Sequence, residues 1–147
     1  MQYHTHLLFA LLLALYTKDY FQADLFFIII VLIGSLLPDL DETKSYLGRR
    51  IPFLPTISKL LFGHRGIYHS IPFAILLTLL INIFSFKAAI AILIGYLSHI
   101  LLDSITKQGI QPLWPLKLRM KGPIKTGGLF EKIFTILILI AIIIVIL

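Results

Sequence analysis

Residues 88–105 read AAIAILIGYLSHILLDSI, and this run decides how the chain folds. It contains no Lys or Arg and approaches the roughly 20 apolar residues that a helix needs to cross a bilayer. It nevertheless ends with His99 and Asp103, which are four residues apart and so share one helix face. Ionisable side chains are costly near lipid and tend to mark function there. The run therefore predicts a membrane helix with a functional site at its end.

The composition of the whole chain agrees with a membrane protein. Of the 147 residues, 59% are hydrophobic and only 14% are charged, and a soluble fold of this length has too little interior to bury them. We therefore predict one integral-membrane domain covering residues 1–147. The absence of cysteine excludes disulfides and thiolate metal sites. The first six residues lack the basic residue of a signal peptide, and no cleavage site follows, so the first helix is expected to be retained.

Four more apolar segments accompany residues 88–105. They are His6 to Tyr16, about Ala23 to Leu37, about Ser70 to Phe84, and Leu129 to Leu147. The first three segments are short for a full span, so snorkelling flanks, local thinning of the bilayer or re-entrant geometry are alternatives. The prediction is an all-α, polytopic bundle with four or five membrane segments.

The basic residues predict the orientation. Eleven of the 13 Lys and Arg residues lie in or beside two connections, residues 38–69 and 106–128, whereas Lys18 and Lys87 are alone in the other two. Basic connections are cytoplasmic by the positive-inside rule. This places the N-terminus in the cytoplasm. Attraction to anionic membrane lipid explains the charge of +6, so no nucleic-acid partner is expected.

This topology brings seven ionisable residues to one depth, the cytoplasmic interface. They are His6, Asp39, Asp41, His64, His69, His99 and Asp103. Imidazole with carboxylate suits Zn²⁺ or Mn²⁺, and seven side chains exceed the needs of one tetrahedral ion. Two ions bridged by a carboxylate, or one ion with outer aspartates, are both open. A divalent ion lowers the pKa of bound water to about 7, which suits hydrolysis.

Two further residues are candidates for chemistry at this site. Arg65 lies between two of the histidines and is suited to binding a phosphate or carboxylate group with two hydrogen bonds. Glu42 follows the aspartate pair and could act as a general base. We expect Asp39 and Asp41 to lie in an extended segment, where residues two apart point to one side. We also expect Gly95, a residue without a side chain, to let another helix approach closely.

Each candidate ligand also has an explanation without metal. His6 could be an ordinary interfacial histidine, the two aspartates could end the second segment, and His99 could bond to a neighbouring helix. His64 and His69 could lie in a solvated loop. Agreement in depth across separate segments is what favours metal.

Three separated motifs in order resemble one known family. They are Leu37-Pro38-Asp39-Leu40-Asp41, Gly63-His64-Arg65-Gly66 with His69-Ser70, and Gly95-Tyr96-Leu97-Ser98-His99 with Asp103. With His6-Leu7-Leu8 before them and Leu113-Trp114-Pro115 after them, they are similar to the YdjM-like family of inner-membrane, metal-dependent hydrolases. Tyr68 and Lys107 depart from the family pattern, at positions where threonine and proline are usual. The resemblance implies a bacterial inner-membrane location and a metal centre.

The hypothesis is a multi-pass inner-membrane hydrolase that cleaves an ester or phosphoester, with a lipid or small molecule as substrate. A phospholipase-like activity follows from the resemblance, as does a regulatory protein partner. Two alternatives come from other classes. A metal-ion transporter would place polar residues at mid-membrane, and a non-catalytic adaptor would bind a soluble regulator through the basic connections.

Overall fold

A computed structural model describes residues 1–22, 24–41 and 67–147. Its helices are α1 (Tyr3–Tyr16), α2 (Lys18–Phe21), α3 (Leu25–Leu36), α4 (Ile71–Asn82), α5 (Phe86–Ser104) and α6 (Leu129–Ile146). Two short 3₁₀ turns, Leu37–Asp41 and Ile67–His69, precede α4. All the regular elements in these ranges are helical, so the predicted all-α class is confirmed for the described part of the chain.

The helices begin and end where the side chains and proline dictate. Asp24, Ser70 and Ser85 cap α3, α4 and α5, because each side chain accepts a hydrogen bond from the backbone N–H three residues on. Pro38 lies just after the end of α3, since a proline has no N–H to continue the hydrogen bonds of the helix. The predicted segment ends are therefore correct to within a few residues.

Two of the described helices are long and apolar enough to cross a membrane. They are α5, with a mean hydropathy of 1.6, and α6, with a mean hydropathy of 2.8. They differ in their surroundings. Of the 18-residue apolar stretch in each helix, 56% is buried within the fold in α5 and only 17% in α6. Helices α1, α3 and α4 are apolar but shorter. Helix α5 is thus the central helix, and α6 packs at the edge, against α1.

The closest helix crossing joins α3 to α5. A Cβ atom added to Gly95 would lie 2.0 Å from the carbonyl oxygen of Val31, and one added to Gly34 would lie 2.8 Å from that of Ile92. The predicted close approach at Gly95 is confirmed. Because the two backbones are in contact here, α3 has almost no freedom to shift relative to α5.

The connection after α5 folds back on itself through backbone hydrogen bonds. Met120 pairs with Ile110 in an antiparallel bridge, and Ile124 pairs with Thr106 in a parallel one. Gly122 packs on the backbone of Ile105, where a Cβ would come within 2.3 Å of the carbonyl oxygen. This connection is therefore an ordered cap on the Ser104 end of α5.

Candidate metal centre

The last turns of α5 present His99 and Asp103 to the interior of the bundle. Their side chains are 0% and 1% exposed. The Nδ1 atom of His99 lies 2.7 Å from the carbonyl oxygen of Ser35 on α3. Since a carbonyl only accepts, Nδ1 carries the proton and Nε2 presents its lone pair. A backbone carbonyl bonded to the second ring nitrogen is also the usual arrangement of a metal-binding histidine.

Helix α1 contributes His6, which is fully buried. Its ring stacks on that of His99, with centroids 3.8 Å apart and planes at 10°. Its Nε2 atom lies 3.4 Å from Oδ1 of Asp103, an oxygen that the amino group of Met1 also contacts. Within residues 1–22, 24–41 and 67–147, the Nδ1 atom of His6 has no hydrogen-bond partner.

The two 3₁₀ turns bring Asp39 and His69 to the opposite side of His99. Oδ1 of Asp39 lies 3.7 Å from Nε2 of His99, and the Asp39 side chain is 13% exposed. The ring of His69 meets that of His99 edge to face, with centroids 5.3 Å apart and planes at 66°. Its Nε2 atom is 3.9 Å from Oδ2 of Asp103.

These five side chains form two sets of three donor atoms, each within 4.8 Å of one another. The sets are His6, His99 and Asp103, and Asp39, His69 and His99. The nitrogen–oxygen distances of 3.4–3.9 Å exceed the usual hydrogen-bond length of about 3.2 Å. A divalent cation would supply the charge that this buried group of carboxylates and imidazole lone pairs lacks. The chemistry of the donors therefore fits a metal ion.

Five of the nine sequence candidates are thus close together, and the other four cannot be placed. The side chain of Asp41, together with Glu42, His64 and Arg65, lies outside the described residues. The expectation of an extended segment at Asp39 and Asp41 is wrong, because Leu37–Asp41 is a 3₁₀ turn. At about three residues per turn, side chains two positions apart point in different directions.

Comparison with known proteins now identifies the family. The profile described as "YdjM inner membrane protein" matches residues 1–147. The chain belongs to the YdjM family. It is 35% identical to "Inner membrane protein YdjM" of Escherichia coli strain K12 over 133 residues, or 81% of this chain and 68% of that protein.

Two more relatives agree with this assignment. "Inner membrane protein YdjM" of Shigella flexneri matches with the same identity and coverage. "Uncharacterized protein YvsG" of Bacillus subtilis strain 168 is 32% identical over 105 residues, which cover 69% of this chain and 66% of that protein. No solved structure matches the chain. The similarity to two inner-membrane proteins of the YdjM family agrees with the two apolar helices that are long enough to span a bilayer.

Three residues that support the site were not found by sequence reasoning. Ser35 bonds to His99, and the hydroxyl of Tyr96 donates to the carbonyl of Tyr68, which fixes the turn that carries His69. Glu131 is 1% exposed and accepts hydrogen bonds from Thr5 Oγ1, Gln2 N and Gly127 N. A glutamate in the first turn of an otherwise apolar helix is the one signal that could have indicated the last of these.

Proposed function

We propose that this protein is a multi-pass inner-membrane hydrolase that uses divalent metal to cleave an ester or phosphoester in a membrane lipid. The observation that carries the proposal is the buried group of three imidazoles and two carboxylates at the Ser104 end of α5. When bound, the metal would supply an activated water and neutralise developing negative charge. The cytoplasmic orientation and the hydrolytic reaction belong to this proposal.

The arrangement of the rings favours two ions over one. The rings of His6 and His99 are nearly parallel, so their in-plane lone pairs run side by side instead of meeting. Asp103 has one oxygen near His6 and the other near His99 and His69. Its carboxylate would therefore be shared by both groups of ligands, and Zn²⁺ or Mn²⁺ would suit these imidazole and carboxylate donors.

The remaining residues have roles that follow from their contacts. His6 and Asp103 would hold one ion, and Asp39, His69 and His99 would hold the other. Ser35 holds the proton of His99 on Nδ1 through the hydrogen bond at 2.7 Å. Four of the five side chains are buried and Asp39 is 13% exposed, and the low local dielectric strengthens their interaction with a cation.

Metal analysis of the purified full-length protein tests the centre. We expect about two ions per chain by mass spectrometry of the metals, about one in His6→Ala, and substantial loss in His99→Ala. His4→Ala is the matched control, since His4 is exposed on the same helix two residues away. It should keep both ions. Equal and negligible metal in the unaltered protein and in His99→Ala would refute the centre.

Release of product from liposomes tests the reaction separately. Metal-loaded protein is expected to hydrolyse a radiolabelled phospholipid, and a chelator should abolish this while His4→Ala leaves it intact. Protein that binds two ions but hydrolyses no ester or phosphoester would contradict the hydrolase and leave the metal centre standing. Uptake of Zn²⁺ or Mn²⁺ into proteoliposomes would favour the transporter instead.

A further inference from the structure

Helix α5 has a second feature on the side that faces away from the metal centre. Leu97 and Leu101 are 38% and 56% exposed. Each is two residues from His99, which places it about 200° around the helix. These leucines line an apolar groove of about 500 Å³. The groove lies within the size range of ligand pockets, about 300–1,000 Å³.

The groove is formed by four parts of the described chain. Leu13 and Thr17 come from the end of α1, Ile71 from the start of α4, and Pro112 and Met120 from the connection after α5; the α5 lining extends from Ile94 to Ser104. That length of helix, ten residues at 1.5 Å each, is about 15 Å. It equals half of the roughly 30 Å hydrocarbon thickness of a bilayer, the depth of one leaflet.

The surface of the groove is hydrocarbon even where the residues are polar. Ser98 donates to the carbonyl of Gly95 and Ser104 to that of Leu101, both at 2.6 Å. Thr17 donates to the carbonyl of Leu13 at 2.8 Å. Because each hydroxyl is bonded to its own helix, the groove offers little hydrogen bonding to an occupant. An apolar chain is the ligand that this surface suits.

One end of the groove is flanked by cations. Met120 belongs to the groove, and the residues leading to it alternate between apolar and basic in the order Leu116, Lys117, Leu118, Arg119, Met120 and Lys121. All six side chains are exposed, the three apolar ones by 53–60%. Basic and apolar side chains are therefore exposed next to one another along this stretch. A segment that exposes both kinds of side chain suits the boundary between lipid tails and anionic headgroups.

We propose that this groove binds one acyl chain of an anionic phospholipid, with the headgroup phosphate at Lys117 and Lys121. The groove has the depth of one leaflet, and its cations stand at the end next to the interfacial connection. The site rests on the proposed membrane placement of α5 and is independent of hydrolysis, because the metal centre lies on the other face of the helix. The bound lipid is a resident component and not the substrate.

The single tryptophan of the chain, Trp114, provides the test. It lies two residues from Pro112 of the groove. Purified full-length protein in detergent is titrated with phosphatidylglycerol carrying a dibrominated acyl chain, and with phosphatidylcholine carrying the same chain. We expect saturable quenching of Trp114 fluorescence at lower concentrations of phosphatidylglycerol. Equal quenching by the two lipids would refute the role of the cations.

Two variants with matched charge localise the effect. Lys117→Gln/Lys121→Gln is expected to weaken quenching by phosphatidylglycerol about tenfold or more, since each basic residue near an anionic headgroup contributes on the order of 1 kcal/mol. Lys107→Gln/Lys125→Gln removes the same charge from the same connection, at positions that do not flank Met120. This control should change the quenching by phosphatidylglycerol less than twofold. Equal weakening in both would show nonspecific attraction and overturn the site.

A third variant tests the groove itself. Leu97→Gln/Leu101→Gln keeps every charge but places two amides in the apolar lining, so quenching should become weak and unsaturable. Retained quenching would overturn the groove as the acyl-chain site. A dimer of the unaltered protein that this variant converts to a monomer, with no lipid bound to either, would assign the groove to a second copy. The metal content of all variants should stay unchanged, which distinguishes a lost lipid site from misfolding or a failed metal centre.

Discussion

Replacing Gly95 with alanine would place a methyl group inside the crossing of α3 and α5. The added Cβ would lie 2.0 Å from the carbonyl oxygen of Val31 and 2.8 Å from the backbone nitrogen of Ser35. Ordinary contact requires about 3.5 Å, so the two helices must separate by roughly 1.5 Å. The atoms that must move are backbone atoms, and no rotation of a flexible side chain can relieve the clash.

The separation reaches the metal centre through one hydrogen bond. Ser35 accepts from Nδ1 of His99 at 2.7 Å, and a helix displacement of this size carries that distance beyond the hydrogen-bond limit of about 3.2 Å. Overpacking costs about 1–3 kcal/mol, and loss of a buried hydrogen bond costs about 1–3 kcal/mol more. Gly95→Ala should therefore lower the free energy of unfolding by about 2–6 kcal/mol, and should also weaken metal binding.

Unfolding in mixed micelles with increasing dodecyl sulfate measures the first effect, and a zinc titration measures the second. Ser98→Ala is the matched control, because it changes a buried residue of the same helix without adding volume. It removes one hydrogen bond within α5 and should cost about 1 kcal/mol. If Gly95→Ala matches Ser98→Ala in both stability and zinc affinity, the proposed coupling between helix packing and the metal centre is refuted.

Three other predictions follow from residues outside the centre. Glu131→Gln should destabilise the protein by about 1–3 kcal/mol because three donors lose their carboxylate, whereas the exposed Asp19→Asn should have little effect; equal unfolding curves would contradict this. The pKa of Asp24 is held below its ordinary 3.8 first by the backbone N–H of Phe27 and then by Lys87. The ionised carboxylate therefore contributes its full stabilisation above pH 3.8, and this stabilisation is lost as the pH falls through the lower pKa of the folded state. Asp24→Asn should flatten the acid limb of the stability curve, and an unchanged limb would argue against this ion pair. The chain has no cysteine, so a single cysteine can be introduced and labelled. Lys121→Cys should be labelled from the cytoplasm and Lys87→Cys from outside, and the reverse result would invert the proposed orientation.

The positions of the helices were predictable from the sequence because the apolar runs and the residues at their ends indicate the same helix boundaries. Apolar runs give the helices, and Pro38, Ser70 and Ser85 mark ends by means that a sequence displays directly. The grouping of the histidines was predictable for the same reason, since consecutive antiparallel helices return to the same end of a bundle. His6, His69 and His99 could therefore be grouped before their contacts were known.

The finer geometry depends on packing that no single segment contains. The stacking of His6 on His99 needs the relative rotation of α1 and α5, and the acceptor at Ser35 needs the α3–α5 crossing. The 3₁₀ turn at Leu37–Asp41 was mistaken for an extended segment, because a proline that ends an α-helix does not show whether a tight turn or an extended segment follows. Glu131 was overlooked because two of its three donors lie 126 and 129 residues away.

The hydrogen bonds that Glu131 accepts from the start of α1 join the two ends of the chain. His6, Asp39, His69, His99 and Asp103 are all synthesised before Glu131. The first turn of α1, which carries His6, contacts that later residue through Gln2 and Thr5, and Asp103 through Met1 and His6. A nascent chain stopped before α6 would hold all five candidate ligands of the described structure but would lack the acceptor for Gln2 and Thr5. If the proposed metal centre forms, completion of the last helix adds the final contacts that position His6, and a chain cut short before α6 is expected to bind metal less tightly.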